Sequence, residues 1–162
     1  MNEAVPLNAA EKRNAFGGEA VKVIRNVAAM DLFTKKVKFS NKRYQHLEVS
    51  SRILLTENSL TENSLTENNK IIDTKKVYLD KFASANSGSE QEMTVLFERV
   101  VNVVKQMEEV FSDSDEILRS QGNMVLYYLI FRQSLLLNEV DKISRRKLLN
   151  FRIELTKNRQ DA

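Results

Sequence analysis

Lys35, Lys36, Lys38, Lys42 and Arg43 crowd one short stretch of the chain, and the chemistry open to such a run is phosphate neutralisation. From Lys22 to Arg52 the other cations are Lys22, Arg25 and Arg52, and only Asp31 and Glu48 oppose them. No aromatic ladder accompanies the run and no recognition helix contains it. It could therefore hold a DNA backbone but has little with which to read base edges. If four of the cations engaged duplex phosphates, log affinity would fall with log salt at a slope of about −3.6. The simpler alternative is a solvated basic face, since the formal net charge of the whole chain is only +3.

Other chemistry is sparse in the sequence. The absence of cysteine excludes disulfides and thiol catalysis, and with a single histidine it argues against a zinc site. His46 lies among Tyr44, Gln45 and Leu47 with no nucleophile arranged around it. The carboxylates are numerous, but no two of them share an apolar setting that would mark one as acid and the other as base. Neither a glycine-rich phosphate loop nor a cluster of metal ligands is present in the sequence.

The elements that would position these groups are helical. A chain of 162 residues, 42% apolar and 29% charged, suits one soluble domain with a real core. Four glycines and one proline are too few turn residues for an all-β protein. Asn8 with Glu11, and Ser89 with Glu92, have the spacing of capping boxes, each opening a helix. Val21, Ile24, Val27 and Ala28 repeat at helical spacing after Gly18, and a further helix is expected from Ser40 or Asn41 through Leu54. Leu96, Val100, Val103, Val104, Met107 and Phe111 give the clearest apolar face in the chain. Met124 to Leu137 is apolar nearly all round and so is expected to be the central buried helix, with Arg132 either snorkelling near its end or paired with a counter-charge or ligand. A last helix is expected over Lys142 to Lys157.

The motif Leu-Thr-Glu-Asn-Ser recurs at Leu55, Leu60 and Leu65, the third copy ending in Asn69. A five-residue step turns a helix by about 140°, so the leucines form no stripe. The reading that follows is a tandem duplication lengthening an exposed loop, where added length costs little. The expected organisation is thus an all-α bundle of five or more helices in a single helical domain, 1–162, with an inserted repeat loop at 55–70 and a frayed tail at 158–162. Because the longest apolar run, Met124 to Phe131, is far short of the about 20 residues of a membrane span, a cytoplasmic protein with no membrane partner is expected.

The run Asn2-…-Pro6-Leu7-Asn8-Ala9-x-Glu11-x-Arg13-Asn14-Ala15, closing on Gly17-Gly18, resembles a segment of the GmrSD-type restriction endonuclease N-terminal family, the ParB/sulfiredoxin-related proteins with an Asp-Gly-Gln-Arg motif. In that family a Phe-Glu-x-x-Asn motif precedes a Gly-x-Pro-Leu-Asn/Ser-x-x-Glu-x-Arg-Asn helix. Ala4 and Val5 stand where the family often has glycine. Phe39 to Tyr44, Ser120 to Gly122 and Tyr127 to Arg132 are similar in character to later parts of it. The resemblance implies Asn2, Glu11, Arg13 and Asn14 as family-motif residues. It also implies DNA defence as the setting, with nucleotide and divalent metal used by the intact family only. The Asp-Gly-Gln-Arg motif is missing from this sequence. The chain is therefore expected to be a truncated helical portion with no catalysis and no cofactor of its own, and its partners a nuclease domain, an upstream catalytic half, or DNA through Lys35, Lys36, Lys38, Lys42 and Arg43. The alternative is a self-contained helical interaction module or a non-specific DNA-binding one.

Overall fold

Asn8 begins the first helix in the way its spacing to Glu11 requires. Its side-chain Oδ1 accepts from the Glu11 amide at 2.8 Å, and the Glu11 carboxylate accepts from the Asn8 amide at 2.6 Å. In the computed structural model, which describes residues 4–63, 74–84 and 89–161, this cap opens α1 (Ala9–Asn14). After it come α2 (Glu19–Ala28), α3 (Gln45–Asn63), α4 (Lys76–Ser84), α5 (Glu90–Val110), α6 (Met124–Leu136) and α7 (Arg145–Gln160). Every regular element among the described residues is helical, and the all-α expectation holds. Gly17 and Gly18 link α1 to α2 with φ of 71° and 92°, values that residues with a side chain rarely adopt.

The described residues form two compact units. One comprises the described residues of Met1–Met30 and Ser40–Val101, the other those of Asp31–Phe39 and Asn102–Ala162. The first is built around α3, against which α1, α2 and α4 all pack. From Val49 onward α3 buries Ser50, Ser51, Ile53, Leu54, Leu55, Thr56, Glu57 and Ser59. The five consecutive residues Ile53 to Glu57 cover more than a full turn, so α3 is enclosed on all sides there.

This overturns the loop expected at 55–70 as far as it is described. Leu55 to Asn63 continue α3, and residues 64–70 lie outside the described residues. A helix surrounded by neighbours needs no single apolar stripe. The hydroxyls of the repeat are satisfied within the helix itself. Thr56 donates to the Arg52 carbonyl at 2.7 Å, Ser59 to Leu55 at 2.6 Å and Thr61 to Glu57 at 3.0 Å. Such i−4 bonds let Ser and Thr enter a buried helix without a stranded polar group.

α3 is approached through one 3₁₀ turn, Lys42–Tyr44. Arg43 and Tyr44 both have positive φ, 53° and 61°, a region that costs an L-residue about 1 kcal/mol or more.

In the second unit a π-helical turn, Leu32–Lys36, lies against the 3₁₀ turn Glu116–Leu118 and the segment leading into it. The amides of Ser114 and Asp115 donate to the carbonyls of Lys35 and Lys36 at 2.8 and 2.7 Å, and the Lys38 amide donates to Leu118 at 3.2 Å. The core gathers Leu32, Phe33, Met107, Phe111, Ile117, Leu118, Met124, Tyr127, Tyr128 and Phe131. Phe111 meets Tyr127 edge-on and Phe131 at a tilt, both with centroids 5.8 Å apart, geometries favoured by the ring quadrupoles. α6 buries Met124, Tyr127, Tyr128 and Phe131, yet Leu136 and Leu137 at its end are exposed. It is thus buried along one face, and the all-round burial expected of it belongs to α3. α7 runs on to Gln160, through the segment expected as a frayed tail, and Leu148 alone on it is buried.

Candidate functional site

The motif on α1 is the natural place to look for a site, and its described residues converge on the helices of the first unit. Arg13 is almost wholly buried. Its Nη1 donates to Asp80 on α4 at 2.7 Å, and its Nη2 pairs with Glu48 on α3. Arg52 also reaches Glu48, at 3.2 Å, and Lys76 reaches Asp80 at 3.1 Å. Burial by itself would raise the Asp80 carboxyl, but hydrogen bonds from Arg13 and Lys76 outweigh it and hold the group below its ordinary value.

Glu11 closes the cap of α1 and also receives the Arg43 guanidinium, Nε at 3.2 Å and Nη2 at 3.0 Å. The Arg43 bond is the main reason its carboxyl is held below the usual range. Arg43 is fixed further by the Pro6 carbonyl at 2.7 Å, and its own carbonyl accepts from the Asn8 side-chain Nδ2 at 3.0 Å. Asn14 accepts from Arg25 on α2, through Oδ1 at 2.7 Å and its main-chain carbonyl at 2.8 Å. Asn2 lies outside the described residues. Glu11, Arg13 and Asn14 are thus close together on one short helix, and each is engaged by a different neighbouring element.

Beside α1 an open cavity of about 270 Å³ is lined by Leu7, Ala9, Lys12, Ala15, Phe16, Lys76 and Asp80. Its walls are chiefly apolar. Lys12 has no ion pair among the described residues, whereas Lys76 and Asp80 hold each other.

The basic run fares differently from its sequence reading. Lys35 pairs with Asp31 at 2.8 Å, Lys36 with Asp113 at 3.0 Å, Lys38 with Glu116, and Arg43 with Glu11. Of the five, Lys42 alone has no carboxylate partner among the described residues. The run is also divided, with Lys35, Lys36 and Lys38 in one unit and Lys42 and Arg43 in the other. His46 sits half-buried in the first turn of α3; among the described residues no cluster of three or more His, Asp or Glu could hold a metal.

Two features escaped the sequence reading. One is Asp115, whose carboxylate is fully buried and accepts from Arg145 Nε at 2.8 Å and Nη2 at 2.9 Å. It also accepts from the amides of Ser112 and Ile117 at 2.8 and 3.0 Å. The Asp-x-Ile spacing of a capping residue was the available signal. The second is the outer face of α7, where Leu149 and Ile153 stay exposed.

The class these features define is an all-α protein of two compact helical units tied internally by long-range ion pairs. No described helix is long and apolar enough to cross a membrane. No protein-family model, curated protein or solved structure matches the sequence.

Proposed function

We propose that this chain is a helical binding module that performs no chemistry itself, the counterpart of the helical part of a GmrSD-type DNA-defence protein. The observation that supports this reading is the engagement of the α1 motif. Glu11, Arg13 and Asn14 hold α1 to the 3₁₀ turn, α3, α4 and α2. Groups committed to ion pairs of this kind are poorly placed to meet a substrate, because catalysis needs preorganised groups aimed at the reacting atoms. The motif then serves as the clasp of a scaffold. DNA binding through Lys35, Lys36, Lys38, Lys42 and Arg43 is the weaker reading, since four of the five already neutralise carboxylates.

The test is to incubate the purified chain with ATP, GTP or CTP and with plasmid DNA, each with magnesium. No turnover above the blank is expected. Turnover that Glu11→Gln or Asn14→Ala abolishes, with the helical spectrum unchanged, would overturn the reading.

A further inference from the structure

α7 is held to its own unit along one side. Leu148 is buried, Arg145 is clasped by Asp115, and Arg152 donates to the Glu116 carbonyl at 2.6 Å. The adjoining side carries Arg146, Leu149, Ile153 and Lys157, at steps of three, four and four residues, which is one continuous stripe on a helix. Leu149 and Ile153 are 37% and 47% exposed. Arg146 and Lys157 are exposed and have no carboxylate partner among the described residues. Asn150, Thr156 and Gln160 border the stripe and are neutral, and Glu154, three residues before Lys157, borders it at that end.

We propose that this stripe is a docking surface for an acidic amphipathic helix of a protein partner. The inference rests on the binding-module reading and supplies its partner. The order cation, aliphatic, aliphatic, cation calls for two apolar side chains one turn apart with a carboxylate at either end, the pattern by which helices dock apolar faces and fix register with flanking charges. A second copy of the chain fits poorly, because antiparallel stripes would set Arg146 against Lys157. Nucleic acid would satisfy the two cations but leave the aliphatic pair facing phosphates. Two half-exposed aliphatic residues with no aromatic neighbour on the stripe are also a small anchor for a membrane surface.

The experiment is an anisotropy titration of the full chain with a labelled synthetic helix of about four turns, carrying two leucines one turn apart flanked by glutamates. The same helix with lysines for the glutamates, random-sequence duplex DNA and phosphatidylserine vesicles are the comparison probes. The acidic helix should bind and the lysine helix should not. Arg146→Glu with Lys157→Glu should weaken binding at least about tenfold, as should Leu149→Ser with Ile153→Ser, while Lys105→Glu on α5 leaves it unchanged. Thermal melts check that each variant folds, and the charge pair decides alone if the serine pair does not. No binding of the acidic helix, equal binding by the variants, or preference for DNA or vesicles would overturn the proposal. None of these outcomes bears on turnover, so the two readings fail separately.

Discussion

Arg145 holds Asp115 through two parallel hydrogen bonds, Nε to Oδ2 at 2.8 Å and Nη2 to Oδ1 at 2.9 Å, although the aspartate side chain is fully buried and the arginine is 42% exposed. Such a fork fixes direction as well as charge. Because the same carboxylate takes the amides of Ser112 and Ile117, it joins the end of α5, the Glu116–Leu118 turn and the start of α7 at one point.

Asp115→Asn should therefore lower stability at neutral pH by about 2 kcal/mol, the scale of charge-assisted hydrogen bonds lost from a buried group whose partner is half in water. Burial alone would raise the Asp115 carboxyl, but Arg145 and the two amides outweigh it, so its pKa is below the ordinary 3.8. A group depressed on folding stabilises the fold fully above its unfolded pKa, and that contribution is lost as pH falls through the folded value. Urea unfolding should show the native chain weakening below about pH 4, and the Asn variant should show a flatter acid limb.

Arg13→Ala should cost about 2 kcal/mol, since Glu48 and Asp80 lose their buried partner but keep Arg52 and Lys76. Arg13→Lys should recover less than half of that loss, because one ammonium cannot reproduce a planar fork reaching two carboxylates on two helices. The urea midpoints of the two variants check this; full rescue by lysine would show that charge alone suffices.

Leu55→Ala should lower stability by about 2–3 kcal/mol, as for a leucine removed from a packed core. An exposed loop would lose well under 1 kcal/mol at the same position. Leu60, only half-buried on the next copy of the repeat, should lose less than Leu55. Thermal or urea unfolding of the two alanine variants measures the difference directly.

DNA titrations should give a log–log salt slope much shallower than the about −3.6 expected of four phosphate contacts. Lys35, Lys36, Lys38 and Arg43 would each have to exchange a carboxylate for a phosphate. Replacing Lys35, Lys36 and Lys38 with Glu sets like charges against Asp31, Asp113 and Glu116, so a lowered melting temperature is expected as the main effect. A slope near −3.6 with an unchanged melt would restore the phosphate-binding reading.

What could be read from the sequence was local. Asn8 with Glu11 and Ser89 with Glu92 are three residues apart, and both boxes formed as their spacing required. The apolar face of α5 emerged for the same reason, with Val100, Val104 and Met107 fully buried. The ion pairs of Arg13 span 35 and 67 residues and leave no trace in local pattern. α3 was misread because periodicity detects a helix with one buried side, and Ile53 to Glu57 are buried on every side. α7 erred the other way. Leu149 and Ile153 are one turn apart, as on a core face, but spacing cannot say whether the chain supplies anything to cover them.

Arg43 and Tyr44 sit in the left-handed region immediately before α3, and Arg43 is also the residue that clamps Glu11 and the Pro6 carbonyl. Strained backbone of this kind persists only while the surrounding contacts over-determine it. The clamp and the strain are consequently coupled in opposite directions. Cutting the Glu11 contact removes an attraction and also frees two residues to relax, so the measured loss will understate the strength of the contact. A double-mutant cycle between Glu11 and Arg43 reports a different quantity from a cycle between Glu11 and a glycine at position 44, where the relaxation has already taken place. The second cycle reports how far the Glu11 contact holds Tyr44 in its strained conformation.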